Sequence, residues 1–165
     1  MGTLAGISAE EYLHTRFAGI DPEFRDGIIV ERSMPDYLHG KTQAILIALF
    51  MALRKSLSLY PCAETRMMLR PGRFLIPDVA VFHPVEPGLL PSNPPLIAIE
   101  ILSPDDRLLE VRAKLEEYSA WGVPHVWLVD PHSQRLYSCD GGLQEVSRFL
   151  VDEIAIELTT DQIFD

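Results

Sequence analysis

Residues 96–102 read Leu-Ile-Ala-Ile-Glu-Ile-Leu, and this stretch decides the fold of the chain. An apolar run of this length is typical of a strand at the centre of a sheet that is covered on both faces. Glu100 is the only charge in the run. The stretch therefore predicts a buried central strand that carries one carboxylate near its carboxyl end.

The residues after this strand predict a helix and a second buried strand. Ser103-Pro104-Asp105-Asp106 combines a capping serine, a proline and acidic residues, which together favour a helix start. We expect this helix to run to about Trp121, where Gly122 closes it. A buried strand should follow at residues 125–129 and a turn at residues 131–133. Further elements are expected as short strands around Leu136, Val146 and Ile154 and as a helical turn at residues 160–164.

The residues before the central strand predict two helices and several strands. A helix should begin at the capping residue Ser8 and run to about Phe17. Asp26-Gly27 indicates a hairpin turn before a strand at residues 28–30. An apolar stripe at helical spacing predicts a second helix over residues 38–57, and strands are expected at residues 64–69 and 74–82, the latter interrupted at Pro77.

The order of these elements predicts the fold class. Helices and strands are interspersed, and no repeat, low-complexity tract or linker divides them. We expect a single domain over residues 1–165 with an α/β fold, in which a central mixed sheet is flanked by helices.

Two carboxylates stand in strands that are otherwise apolar. Glu100 is one, and Asp78 is the single charge in residues 74–82. An ionised carboxylate in a dry strand is costly unless a counter-charge neutralises it. Either residue alone has a simpler explanation, namely a sheet edge or an arginine partner. As a pair at the ends of neighbouring strands, they predict a site for a hard cation such as Mg²⁺, which prefers oxygen ligands.

Lys114 is a cation close to this pair, on the predicted helix that follows Glu100. Lys114 and Arg107 fall on the edge of the apolar stripe of that helix, which consists of Leu108, Val111, Leu115 and Tyr118. From this edge a lysine can reach the end of the sheet. The alternative is a surface ion pair with Glu110, which lies four residues earlier.

The overall composition excludes some classes of protein. The chain has 165 residues, 47% of them hydrophobic and 23% charged, and a formal net charge of −10. This charge argues against a non-specific nucleic-acid coat protein but is compatible with a local basic surface on a nuclease. Cys62 and Cys139 are expected as free thiols in a reducing cytoplasm. Residues 1–7 do not resemble a signal peptide, and no apolar stretch is long enough to span a membrane.

Short motifs follow one another along the chain in a recognisable series. They are, in order, Asp26-Gly27 with Glu31, His39-Gly40, Pro77-Asp78-Val79-Ala80-Val81, Ile99-Glu100-Ile101-Leu102-Ser103-Pro104, Asp106-Arg107, Lys114 with Tyr118, Gly122-Val123, and Val126-Trp127-Leu128-Val129-Asp130-Pro131. The series resembles the PD-(D/E)XK nuclease superfamily and, more closely, the Uma-two family of restriction-endonuclease-like proteins. One position departs from the superfamily pattern, because Leu102 stands where a lysine is expected two residues after the glutamate. In the Uma-two family this lysine is typically displaced onto the following helix, where Lys114 lies.

The resemblance implies a metal-dependent endonuclease that hydrolyses phosphodiester bonds of DNA. Asp78 and Glu100 would bind Mg²⁺ or Mn²⁺ together with the backbone carbonyl of Ile101. Lys114 would hold or polarise the attacking water and stabilise charge on the phosphate. A homodimer is compatible with this superfamily, although no part of the sequence identifies an interface.

Several other residues are expected near this site, each with an alternative. Glu31 is either an additional metal ligand or a solvated strand end, and His39 either binds a phosphate or water or serves as a cap or core residue. Tyr118 is expected to orient Lys114, and Arg107 to lie near the substrate. A group of arginines could meet a phosphate backbone or form a solvated sheet edge: Arg66, Arg70 and Arg73.

Two functions from different classes fit these residues. The first is an active DNA endonuclease, favoured by Asp78, Glu100 and Lys114 together. The second is a binding module on the same fold that holds a metal or a partner without cleavage, which the acidic charge favours. A hydrolase acting on another phosphate ester is a third possibility.

Overall fold

The structure is a computed structural model that describes residues 3–165, where four α-helices and thirteen strands are found. The helices are α1 (Ala9–His14), α2 (Tyr37–Leu57), α3 (Leu108–Trp121) and α4 (Thr160–Phe164). The strands are β1 (Thr3–Ala5), β2 (Glu23–Arg25), β3 (Ile28–Val30), β4 (Tyr60–Ala63), β5 (Met67–Arg70), β6 (Arg73–Leu75), β7 (Val79–Phe82), β8 (Ile97–Ile101), β9 (His125–Asp130), β10 (Arg135–Cys139), β11 (Leu143–Val146), β12 (Arg148–Val151) and β13 (Ile156–Thr159).

The central element is a six-stranded mixed sheet with the order β11-β10-β9-β8-β7-β4. Strands β8 and β9 run parallel and are connected through α3, whereas the other neighbours pair antiparallel. The predicted mixed sheet flanked by helices is confirmed, and the stretch that contains Glu100 forms one of its two middle strands. All five residues of β8 are buried, as expected for a strand covered on both faces.

The two faces of the mixed sheet pack against different helices. Ile97, Ile99 and Ile101 of β8 join the core formed with α2, whereas Ala98 joins the core formed with α3. Side chains of a strand alternate between its faces, so Glu100 points to the same side as Ala98. This alternation places the Glu100 carboxylate under α3.

A second, five-stranded antiparallel sheet has the order β1-β3-β2-β6-β5. Its β2–β3 hairpin turns at Asp26 and Gly27, which have φ values of 54° and 91°, and the predicted hairpin is confirmed. Tyr12 of α1 packs on this sheet against Phe24 and Phe74, which completes a separate apolar cluster. The sheet brings β2 alongside β6, and therefore close to the segment that leads into β7.

The interruption predicted at Pro77 is confirmed, but the two halves of the strand predicted over residues 74–82 belong to different sheets. Strand β6 belongs to the five-stranded sheet and β7 to the mixed sheet, with residues 76–78 between them. Pro77 has no N–H to donate to a ladder. The N–H of Ile76 instead donates to Oε1 of Glu23, and its carbonyl accepts from Nζ of Lys114. Side chains therefore replace the ladder partners that a continuous strand would have supplied.

The start of α3 also differs from the prediction. The helix begins at Leu108 rather than at Ser103, and its N-cap Arg107 makes no side-chain cap hydrogen bond. The Asp106 carboxylate is already engaged, because it accepts the N–H of Ser103 at 2.7 Å in the preceding turn. Gly122 ends the helix in the left-handed conformation, with φ 109°, as expected.

The predicted limits of three other elements were also wrong. Residues 64–66 form a bend between β4 and β5 rather than part of a strand. Helix α1 ends at His14, although its predicted cap at Ser8 is confirmed by a complete capping box with Glu11. The segment around Ile154 is a 3₁₀ turn, and the expected strand begins at Ile156.

Candidate active site

A cavity of about 410 Å³ lies where the two sheets and α3 meet. Its walls come from β2, the segment between β3 and α2, the break between β6 and β7, the end of β8, and α3. Seven residues singled out from the sequence line it: Glu31, His39, Asp78, Glu100, Ile101, Arg107 and Lys114.

Asp78 lies at the break between β6 and β7 with a side chain that is 6% exposed. Its Oδ2 atom accepts the backbone N–H of Ile101 at 2.7 Å and lies 3.3 Å from Nε2 of His39. Its Oδ1 atom accepts from Nη2 of Arg32 at 3.0 Å. Burial alone would raise the pKa of Asp78, but His39, Lys114 and Arg32 outweigh burial and hold the pKa below its ordinary value. Asp78 is therefore ionised at neutral pH.

Glu100 projects from β8 into the same cavity and is 8% exposed. Its Oε1 atom accepts from Nζ of Lys114 at 2.8 Å and from the hydroxyl of Tyr118 at 2.9 Å. Burial raises the pKa of Glu100 to about 7, with Lys114 opposing the shift and the carboxylates of Asp78 and Glu23 adding to it. At neutral pH the Glu100 carboxyl group is therefore partly protonated.

Lys114 faces the cavity from α3 and is 8% exposed. Its Nζ atom lies 2.7 Å from Oε1 of Glu23, 2.8 Å from Oε1 of Glu100 and 2.8 Å from the carbonyl oxygen of Ile76. Burial would lower the pKa of Lys114, but the nearby carboxylates outweigh burial and raise it. The lysine is accordingly an ammonium group held by three oxygen atoms, one from each of three separate elements.

Glu23 is a site residue that the sequence-based prediction missed. It is 2% exposed, and besides Lys114 and the N–H of Ile76 it binds Nη2 of Arg25 at 2.7 Å. Burial opposes ionisation, but Lys114 and Arg25 lower the pKa of Glu23 below its ordinary value. Strand β2 has only three residues, too few for a periodicity that would mark Glu23 as inward-facing.

Arg32 is the second residue that was missed. It lies in the irregular segment between β3 and α2, and its side chain is 11% exposed. Carboxylates surround this guanidinium, so its pKa stays raised despite burial, the largest partner being Asp78. No local pattern separates Arg32 from the other polar residues of this segment, so the sequence contained no signal for its position.

The other predicted residues take varied positions around the cavity. Tyr118 is fully buried, and its hydroxyl donates to Oε1 of Glu100. Nζ of Lys114 lies over the Tyr118 ring, 5.9 Å from its centre. The Arg107 side chain is 77% exposed at the cavity mouth, 3.8 Å from Glu110. Glu31 is an exposed part of the wall. The predicted group of arginines lies elsewhere: Arg70 and Arg73 pair with Asp26, and Arg66 packs over the ring of Tyr12.

The chemistry of the donors at this cavity fits a hard divalent cation. Asp78 and Glu100 supply carboxylate oxygens, the ligands that a hard cation prefers. Burial raises the pKa of Glu100, and a cation beside it would favour the ionised carboxylate. Within residues 3–165, no group of three or more His, Cys, Asp or Glu side chains is arranged to hold a metal. A cation at Asp78 and Glu100 would therefore need main-chain, water or substrate oxygens as additional ligands, which is usual for Mg²⁺.

A mixed sheet flanked by helices, with two carboxylates and a lysine buried together beside a central strand, defines the class: a restriction-endonuclease-like, nuclease-fold domain. The particular family follows from the sequence itself. The profile of the Uma2 (Uma-two) family, described as "putative restriction endonuclease", matches residues 9–160, and the chain belongs to this family.

A solved structure supports the same fold. The crystal structure of a protein described as a "putative nuclease", from Anabaena variabilis, superposes with a TM-score of 0.81. The alignment covers 96% of this chain and 97% of that chain at 21% sequence identity, so the likeness shows a shared fold. A search of the curated proteins found no match. None of the helices within residues 3–165 has the length and apolar character needed to cross a membrane.

Proposed function

We propose that this protein is a Mg²⁺- or Mn²⁺-dependent endonuclease that hydrolyses phosphodiester bonds of DNA. The observation that carries the proposal is the convergence of Asp78, Glu100 and Lys114, all buried, in one cavity of a nuclease fold. Membership of a family described as restriction endonucleases supports DNA as the substrate.

The three residues have two proposed roles, cation binding and stabilisation of the transition state. Asp78 and Glu100, with the backbone carbonyl of Ile101, hold the cation, and Tyr118 fixes the Glu100 carboxylate by hydrogen bonding. A bound divalent cation lowers the pKa of a coordinated water and neutralises charge on the phosphate. Lys114, kept as an ammonium by Glu23 and Glu100, stabilises the negative charge that develops in the transition state.

The test is cleavage of supercoiled plasmid DNA by the purified protein with Mg²⁺ or Mn²⁺. Asp78→Ala and Lys114→Ala should each reduce the cleavage rate by about 10²-fold or more, a magnitude typical of losing one electrostatic group at an active site. Lys55→Ala, which removes an exposed lysine of α2, is the matched control and should cleave at the wild-type rate. Cleavage that survives both site substitutions would contradict the residue assignment.

A second function, a binding module that does not cleave, is favoured by one specific observation. Both oxygen atoms of Asp78 are already engaged, by Arg32, His39 and the N–H of Ile101. A cation at Asp78 must compete with these donors. Binding of Mn²⁺ to the wild-type protein, abolished by Asp78→Ala but accompanied by no cleavage of any DNA form, would establish the binding module in place of the nuclease.

A cytoplasmic location and a homodimer remain proposals. Cys62 and Cys139 are free thiols, which is usual in a reducing compartment. Fractionation of cells producing the protein tests the location, and sedimentation of the purified protein tests the dimer.

A further inference from the structure

Buried nitrogen atoms without hydrogen-bond partners are concentrated at the cavity. Within residues 3–165, four buried side-chain nitrogen atoms lack a partner, and three of them belong to residues that line the cavity: Arg25, Arg32 and His39. The fourth is Nε of Arg66. An unpaired buried donor is energetically costly, so such atoms are rare in folded proteins. Of these residues, Arg32 has the side chain best suited to an anionic ligand, because a guanidinium carries only hydrogen-bond donors.

Arg32 has the geometry of a half-occupied anion receptor. Its Nη2 atom donates to Oδ1 of Asp78 at 3.0 Å, whereas Nη1 has no hydrogen-bond acceptor. The Glu64 carboxylate lies beside Nη1, but its Oε2 atom is 3.7 Å away, too far for a hydrogen bond. A guanidinium presents its N–H groups in a fixed planar fork that suits the oxygens of a phosphate.

Glu64 is placed beside Arg32 but is only weakly held. Its side chain is 42% exposed and forms part of the cavity wall. Apart from the contact with Arg32, its carboxylate accepts one long hydrogen bond, 3.4 Å from Nε2 of Gln43. That amide has a shorter bond to the carbonyl oxygen of Asp78, at 2.9 Å. The Glu64 carboxylate can therefore leave this position with little loss of hydrogen bonding.

We propose that Arg32 binds a backbone phosphate of the substrate and that the Glu64 carboxylate occupies that position in the free protein. The inference rests on the proposed function, since it takes a nucleic acid as the ligand. An entering phosphate displaces Glu64 and pairs with Nη1 of Arg32, which supplies the missing acceptor. Glu64 thereby opposes binding of any anion that cannot replace it.

The test measures equilibrium binding of a short fluorescein-labelled DNA duplex by fluorescence anisotropy, with Ca²⁺ in place of Mg²⁺. Glu64→Gln keeps the contact with Gln43 but removes the competing charge, so it should tighten DNA binding by about three- to tenfold. Arg32→Lys keeps the charge but loses the fork, so it should weaken binding by about tenfold. Inorganic phosphate should compete with the DNA in the wild type and in Glu64→Gln, and much less in Arg32→Lys.

The matched control is Glu145→Gln. Glu145 is 57% exposed and lies 3.8 Å from Arg135, a loose ion pair like that of Glu64, on a hairpin outside the cavity. It removes the same unit of negative charge from the chain and should change the affinity by less than about twofold. Equal tightening by Glu64→Gln and Glu145→Gln would overturn the proposal, since net charge alone would then account for the effect.

Other outcomes separate this inference from the proposed function. Tighter binding by Glu64→Gln together with no plasmid cleavage would support the phosphate site and reject the nuclease. Plasmid cleavage with no effect of Glu64→Gln on DNA affinity would support the nuclease and reject the phosphate site. If Arg32→Lys does not fold, the DNA affinity of Glu64→Gln and the competition by inorganic phosphate still test the phosphate site. Failure of both DNA and inorganic phosphate to bind the wild type and Glu64→Gln would overturn the inference.

Discussion

At the scale of single residues, the buried charged side chains at the cavity form a network of ion pairs. The ammonium of Lys114 joins Glu23 to Glu100, and the guanidinium of Arg32 lies against Asp78. Removing one member of such a network leaves its partner as an uncompensated buried charge, which is more damaging than losing a surface ion pair. The stability of the protein should therefore be unusually sensitive to these few positions.

Glu23 tests that sensitivity. Glu23→Ala leaves Arg25 without its closest carboxylate and Lys114 with one carboxylate instead of two. We expect the free energy of unfolding, from urea denaturation, to fall by about 3–5 kcal/mol. Glu23→Gln should lose less stability than Glu23→Ala, because the amide oxygen of the glutamine can still accept the N–H of Ile76.

The control for Glu23 is Glu157→Ala, which removes a half-exposed carboxylate paired with Arg148 at 2.9 Å. Exposed pairs contribute at most about 1 kcal/mol. Equal losses of stability in Glu23→Ala and Glu157→Ala would show that burial adds nothing to the energy of the network.

Glu100 makes stability depend on pH in a defined direction. Its pKa is about 7 in the folded protein, against 4.5 in the unfolded chain, so the folded state binds the proton more tightly. The stability that this proton contributes is complete below about pH 4.5 and is lost as the pH rises through 7. Relative to the wild type, Glu100→Gln should therefore gain about 2.5 kcal/mol of stability between pH 5 and pH 8.

Urea denaturation of both proteins at several pH values measures this gain. Glu145→Gln, an exposed carboxylate, is the control and should show a constant difference from the wild type. A difference for Glu100→Gln that is the same at pH 5 and pH 8 would contradict the raised pKa.

Among the elements, the break between β6 and β7 connects the fold to the site. The chain leaves one sheet at Leu75 and enters the other at Val79, and the site residue Asp78 lies in between. Both backbone groups of Ile76 are bound by the side chains of Glu23 and Lys114. The same contacts that place the lysine therefore also stabilise the crossing between the sheets.

Alanine substitutions at the glycine that ends α3 and at a glycine inside α2 should change the stability of the protein in opposite directions. Gly122 ends α3 with φ 109°, a conformation that strains any residue with a Cβ, so Gly122→Ala should lower the free energy of unfolding by about 1–2 kcal/mol. Gly40 lies inside α2, and a Cβ added there would meet no other atom within 4 Å. Gly40→Ala should therefore raise the free energy of unfolding by about 0.5–1 kcal/mol. Thermal or urea unfolding measures the stability of both variants. Stability changes of the same sign in Gly122→Ala and Gly40→Ala would contradict this account of the two helices.

At the scale of the whole molecule, the cavity lies between units with separate apolar clusters. One cluster joins α2 to the mixed sheet, a second joins α3 to its other face, and a third joins α1 to the five-stranded sheet. The site side chains come from both sheets and from α3. A ligand in the cavity therefore contacts all of these units and should stabilise the entire fold.

Under the proposed function, that stabilisation can be measured with Mg²⁺. A cation present at 100 times its dissociation constant should raise the free energy of unfolding by about 2.7 kcal/mol. The measurement is the midpoint of thermal unfolding as a function of Mg²⁺ concentration, and Asp78→Ala should abolish the increase. An equal increase in wild type and Asp78→Ala would place the cation elsewhere on this acidic chain.

The sequence by itself determined most of the elements and the two carboxylates of the candidate site. Caps and turns such as Ser8, Asp26-Gly27 and Gly122 act within a few residues, and the apolar run around Glu100 predicted a middle strand. These signals are local, because helix and strand periodicity depend on neighbours along the chain. The isolated charges in apolar stretches of sequence also identified Asp78 and Glu100, which both line the cavity.

Only the tertiary structure decided how the site is completed. It turned Lys114 inward to Glu23 and Glu100, added Arg32 to Asp78, and divided residues 74–82 between two sheets. These outcomes depend on the energy of pairing buried charges and backbone groups with partners that are distant in the chain. No periodicity or cap encodes such a pairing, so Glu23 and Arg32 became recognisable only once the fold had brought them to the two carboxylates.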